Sequence, residues 1–254
     1  MKKFRLAHVG LVLALFIVGC SGNSLVKERP TDRRALVHAQ LGASYMQRNQ
    51  YKVALKELNL ALDIDSSHPV ANYVMGVLQA RLGDDKRADA YFRRAISEKP
   101  EYAEAQQEYG EFLCKRGKYK EAFEHFKMAL TNPLYRTPEL VNLKAGECIL
   151  SQARPDIGAA ERYFRTALAF NPRLHPALEH MARISYQRRK YLSARAYVQR
   201  YFEIGPDTPA ALYWGVRTER ELGATEAADR YLRRLRARFP SSKEARQLSQ
   251  RSYR

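Results

Sequence analysis

Apolar residues recur at intervals of three and four along most of this chain, and Gly, Pro or Asp/Asn interrupt the runs at short, regular distances. Ala88, Phe92 and Ala95 fall on one helical face, and Pro100 closes that segment because it offers no amide and its ring clashes with the preceding turn. Alternating apolar–polar runs that would predict strands are nearly absent. The same face returns down the chain: Ala54, Ala88, Ala122, Ala160, Ala194 and Ala228 are separated by 34, 34, 38, 34 and 34 residues. Ahead of them Gly42, Gly76, Gly110 and Gly146 step by 34, 34 and 36. The pattern predicts an all-α chain of repeated helix pairs. A two-helix unit cannot bury its own apolar face, so stacking of neighbouring units has to supply the core.

A 34-residue period carrying Leu-Gly-x-x-Tyr (Leu41, Gly42, Tyr45), Ala-x-x-x-Phe (Ala88, Phe92) and a closing Pro (Pro100) resembles the tetratricopeptide repeat. The resemblance implies a right-handed superhelical solenoid of six helix pairs over residues 35–240, with a C-terminal capping helix over 241–254. The repeats fall at 35–68, 69–102, 103–136, 139–174, 175–208 and 209–240. A longer connection from Thr131 to Pro138 and extra residues around Gln152 to Asp156 account for the 38-residue step. Repeat five places Tyr201 at a position that is ordinarily small, and repeat six has Leu232 and Leu235 in place of the aromatic residue and the alanine. Ser241 and Glu244 read as a capping box opening the last helix, with Ala245 and Leu248 as its apolar contacts.

The N-terminus follows a different logic. Lys2, Lys3 and Arg5 precede an apolar stretch from Leu11 to Val18 that is too short to span a bilayer comfortably. It ends in Ile17-Val18-Gly19-Cys20, which is similar to a bacterial lipobox. That similarity implies a signal peptide over 1–19, removed before Cys20, with diacylglycerol on the Cys20 thiol and an acyl chain on its new amine. Ser21 rather than Asp after the cysteine implies sorting to the outer membrane, with the protein facing the periplasm. Residues 20–34 read as the lipidated cysteine and a flexible tether reaching about 20 Å. Thr31 or Asp32 is expected to cap the first helix.

Charge adds a question about partners. The formal net charge is +17, and from Arg173 onward 18 Lys/Arg stand against 8 Asp/Glu. Such a balance invites a nucleic-acid reading, but a solvated face explains it as well, and a lipoprotein address excludes nucleic acid as a partner. Catalytic constellations are missing from the sequence. The six histidines have no metal-ligand spacing, Glu179-His180 lacks the second histidine of a zincin helix, and no phosphate-binding glycine loop occurs. The expectation is a non-enzyme with no metal and no cofactor beyond the lipid on Cys20. Cys114 and Cys148 lie on the first helices of repeats three and four. An oxidising periplasm favours a disulfide between them, and a pair of buried free thiols is the alternative.

A more specific resemblance rests on Tyr109-Gly110-Glu111-Phe112-Leu113-Cys114-Lys115-Arg116-Gly117, on Pro133-Leu134-Tyr135 and on Gly146-Glu147-Cys148. With Met181-Ala182, Tyr191 through Tyr197 and Arg200-Tyr201, these runs resemble the type IV pilus biogenesis lipoproteins called PilF or PilW, lipobox included. Gln107-Glu108 departs from the asparagines expected before Tyr109, at a groove-facing position. The resemblance implies a pilotin, whose repeats bind the secretin subunit of the type IV pilus and whose lipid carries it to the outer membrane for multimer assembly. A tetratricopeptide cell-envelope scaffold for peptidoglycan or outer-membrane assembly machinery is the alternative, and in either case the chain is expected to be a monomer. By analogy with the repeat, the second, fifth, ninth and twelfth positions of each first helix face the groove. In repeat one these are Leu36, Ala39, Ala43 and Met46, and in repeat two Val70, Tyr73, Val77 and Ala80. All eight are apolar or aromatic, which suits an amphipathic partner segment. The matching positions of repeat three are Glu104, Gln107, Glu111 and Cys114, and those of repeat six Ala210, Tyr213, Arg217 and Arg220.

Overall fold

A computed structural model describes residues 30–250, and these form thirteen α-helices and no strand. Six helix pairs follow one another: α1 (Pro30–Gln47) with α2 (Tyr51–Ile64), α3 (Pro69–Leu82) with α4 (Asp85–Glu98), and α5 (Ala103–Lys115) with α6 (Tyr119–Thr131). Then come α7 (Pro138–Leu150) with α8 (Ile157–Phe170), α9 (His175–Gln187) with α10 (Tyr191–Phe202), and α11 (Pro209–Glu221) with α12 (Thr225–Arg238), closed by α13 (Lys243–Gln250). Each second helix packs on the first helix of the next pair. Alternate first helices also touch, α1 with α3, α3 with α5, α5 with α7, and α9 with α11, so they share one face of a right-handed solenoid. The buried side chains form four successive clusters along the axis rather than one centre, as stacked repeats require.

Small residues set the spacing inside each pair. A Cβ on Gly110 would lie 2.8 Å from the Phe126 ring and 3.0 Å from the Ala122 carbonyl, so only glycine lets α5 and α6 approach this closely. The helix ends are written in the sequence. Pro69, Pro138, Pro176 and Pro209 occupy first turns, where the missing amide costs nothing. Asp84, Asp156 and Thr208 accept hydrogen bonds from the amides of Arg87, Ala159 and Ala211 at 3.0, 2.9 and 3.1 Å. Buried amides seal the seams between repeats: Asn72 donates to the carbonyls of Ser66 and His68, and Gln106 to that of Pro100.

Two expectations are corrected at the ends. The tether was expected to reach residue 34, yet α1 starts at Pro30, and Thr31 and Asp32 lie inside the helix instead of capping it. Proline's fixed φ suits a first turn, and the acidic Asp32 complements the positive helix terminus. At the other end the cap is Ser242, whose hydroxyl accepts from the Ala245 amide at 3.1 Å, one residue later than Ser241. Ala245 and Leu248 are buried against the last pair. Tyr201, at its ordinarily small position, is buried and donates to the Pro206 carbonyl at 2.9 Å, organising the connection from α10 to α11.

Candidate protein-binding groove

The shared face of the first helices is a groove with three chemically distinct stretches. In repeats one and two, Leu36, Ala43, Val70, Tyr73, Val77 and Ala80 are partly exposed along α1 and α3. Ala39 and Met46 are not groove residues: at 0% and 4% exposure they are core. The reason is that α1 packs against both α2 and α3, and these two side chains fall in the wedge with Leu58, Met75 and Leu78. Tyr73 meets Tyr102 edge to face at 5.3 Å. Burial, then the nearby Glu108 carboxylate, pushes the Tyr73 phenol well above the ordinary tyrosine range, so it remains a donor.

The middle stretch is polar and largely self-neutralised. A recess of about 430 Å³ opens between α3, α5 and α7, with Val77, Ala80, Phe92 and Phe112 as its apolar wall and Arg81, Glu108, Glu111, Lys115, Arg116 and Lys144 as its charged one. Glu111 pairs with Lys115 at 2.6 Å and with Lys144 at 3.6 Å, and Lys144 reaches Glu147 at 3.2 Å. His180 on α9 continues the ladder, its Nε2 lying 3.3 Å from Glu147. Burial opposes the Glu147 charge, but the hydrogen bond from His180 and the Lys144 ammonium hold its carboxyl below the usual range. Glu108 has no ion-pair partner among the described residues, and burial followed by the Glu111 charge pushes its carboxyl up. At the departure from the family pattern, Gln107 is buried and accepts from the Tyr135 hydroxyl at 2.6 Å, so of these two residues it is Glu108 that lines the recess.

Beneath this ladder Cys114 and Cys148 are joined as a disulfide with their Cα atoms 5.8 Å apart. It links α5 to α7 beside the longer connections of repeats three and four. In the third stretch Arg183 and Arg217 occupy the ninth positions of α9 and α11, and Arg217 lies among Tyr186, Tyr213 and Trp214. The charged ladder and this cluster were missed by the sequence reading of an apolar site. The signal was present in the ninth positions themselves, which run Ala43, Val77, Glu111, Glu147, Arg183, Arg217 once the extra residues of repeats three and four are allowed for. Cys20 lies outside the described residues. Among those residues no group of three or more His, Cys, Asp or Glu could hold a metal ion, and no helix is long and apolar enough to cross a membrane.

Helix hairpins stacked so that alternate helices line one groove define a tetratricopeptide-repeat solenoid, a class whose concave face holds segments of other proteins. The tetratricopeptide-repeat signature matches residues 70–102 and again 210–242. The solved structure of PilW, described as a widely conserved type IV pilus biogenesis factor, superposes with a TM-score of 0.74 at 31% identity, covering 84% of this chain and 97% of that one. The type IV pilus assembly protein PilF of Pseudomonas aeruginosa is 28% identical over 94% of this chain and 95% of its own. Its solved structure gives a TM-score of 0.81 at 26% identity, covering 88% of this chain and all of that one. The chain belongs to the PilF/PilW family of type IV pilus biogenesis proteins.

Proposed function

We propose that this protein is a pilotin: an outer-membrane lipoprotein, anchored through Cys20, that binds the secretin subunit of the type IV pilus and promotes its multimerisation in the outer membrane. The observation that carries the reading is the partly exposed apolar strip of Leu36, Ala43, Val70, Tyr73, Val77 and Ala80. Polar neighbours border it on the side of repeat three, so it suits the apolar face of an amphipathic segment. Tyr73, held in place by Tyr102, supplies a rigid anchor of the kind that dominates binding energy. The strip belongs to the repeats that directly follow the Cys20 segment, so a bound secretin segment would be held next to the membrane it has to enter. Leu36→Glu with Val77→Glu is expected to leave the protein helical by circular dichroism and lipidated, while secretin multimers fall by at least about tenfold, as the loss of a central contact would produce. Normal multimers with that folded, lipidated double variant would place the secretin site elsewhere.

A further inference from the structure

The C-terminal end of the groove carries two arginines, Arg183 and Arg217, that no described carboxylate pairs with directly. Both are half-buried. One nitrogen of Arg183 donates to His180 Nδ1 at 3.3 Å, and one nitrogen of Arg217 donates to the Tyr213 hydroxyl at 3.2 Å. A guanidinium has five N–H donors in a planar fork, so most of this donor capacity has no protein acceptor. The nearby carboxylates bond to hydroxyls rather than to the arginines, Glu179 accepting from Thr208 at 3.2 Å and Glu221 from Tyr186 at 2.8 Å, so their charge reaches the guanidinium groups only from a distance. Other arginines of the same repeats are paired, Arg195 with Glu219 and both Arg234 and Arg238 with Asp207. The free charge is therefore confined to particular places, and the groove is one of them.

The surroundings favour an anion over water. The Arg217 guanidinium lies 4.5 Å over the Tyr186 ring, 5.5 Å from Tyr213 and 5.8 Å from Trp214. These three neighbouring rings lower the local dielectric, which strengthens the interaction with any anion that docks there. Burial depresses the Arg183 pKa, and the Glu179 carboxylate offsets that burial only in part. A flat membrane surface cannot follow side chains into a concave groove, whereas an extended polypeptide can.

We propose that the groove of repeats five and six binds an acidic polypeptide segment, with Arg183 and Arg217 each clamping one carboxylate and Tyr186, Tyr213 and Trp214 framing the second. Carboxylates two residues apart on an extended chain lie about 7 Å apart. Neighbouring helix axes lie about 8–10 Å apart, so the flexible side chains close the difference. This site is separate from the apolar strip and does not depend on the secretin reading.

Trp214 is the single tryptophan of the chain, so its emission reports on the site directly. Acetyl-(Glu-Ala)4-amide is expected to change that emission saturably, and more weakly as salt rises, while acetyl-(Gln-Ala)4-amide leaves it unchanged. Arg183→Gln with Arg217→Gln should weaken binding by at least about tenfold, as the loss of two charge-assisted contacts implies. Calorimetry reads that variant, since the mutation itself alters the setting of Trp214. Arg233→Gln with Arg236→Gln, on the exposed face of α12, should change binding less than about twofold. The assignment is overturned if the glutamate peptide does not bind, or if the α12 variant costs as much as the groove variant. It is equally overturned if phosphatidylglycerol vesicles bind the same arginines in preference to the peptide.

Discussion

Glu108 shows how a single buried carboxyl in the groove can cost the fold stability. It lines the recess with no ion pair among the described residues, and Lys115, Lys144 and Arg81 only partly offset the burial and the Glu111 charge that raise its pKa. Because folding raises that pKa, the folded protein holds the proton more tightly than the unfolded chain does. The ionised carboxylate therefore destabilises at neutral pH. That cost fades as pH falls through the raised folded value and is gone below the unfolded one. Glu108→Gln is expected to raise the thermal midpoint at about pH 7.5, with the gain vanishing near pH 4. Thermal melts of both proteins across that range check it, and an equal or lower midpoint for the variant at neutral pH would show that Glu108 is compensated. Gln107 teaches the opposite lesson: it stands at a groove position in the sequence but spends its carbonyl on Tyr135.

At the scale of elements, the solenoid is regular where the period is 34 and altered where it is not. The longer connections on either side of α7 leave repeats three and four to be tied by other means. The Cys114–Cys148 bridge does this across 34 residues of sequence. Closing a loop of that length stabilises by roughly 3–4 kcal/mol in the chain-entropy model. Reduction, or Cys114→Ser with Cys148→Ser, is accordingly expected to lower the thermal midpoint by about 10 °C. Free-thiol labelling of the unreduced, denatured protein should find neither cysteine. Quantitative labelling of both would show that the protein is isolated with the bridge open.

At the scale of the whole molecule, the lipid proposed on Cys20 would decide where the groove works. Several acyl chains, each buried methylene contributing about 0.8 kcal/mol, give a stable anchor where one chain gives marginal binding. Cys20→Ala is expected to leave the repeats folded, since they begin beyond the cysteine, and to remove the protein from the outer-membrane fraction. Fractionation reads that outcome, and an intact mass showing unmodified Cys20 in the mature chain would contradict it. The electrostatic layout belongs to this scale too. In the last two repeats Asp207 and Glu219 pair with three arginines, so the net excess counted in the sequence is carried by the arginines and lysines left outside those pairs.

The sequence by itself determined the class of fold and the number of helix pairs. Helix periodicity, Gly110 against Phe126 and Pro at first turns are local or periodic demands that each repeat restates. It also carried the family, through Tyr109 to Gly117 and the two cysteines. What only the tertiary structure decided is which groove positions a partner can touch. Ala39 and Met46 share the helical phase of Ala43 but lie in the wedge where α1 meets both α2 and α3. Exposure there depends on the angle between neighbouring pairs, and no single repeat encodes that angle. The charge ladder from Glu111 to His180 was hidden for the same reason, because its members come from three helices and 70 residues of chain. The extra residues in repeats three and four shifted their apparent register, and stacking restored it.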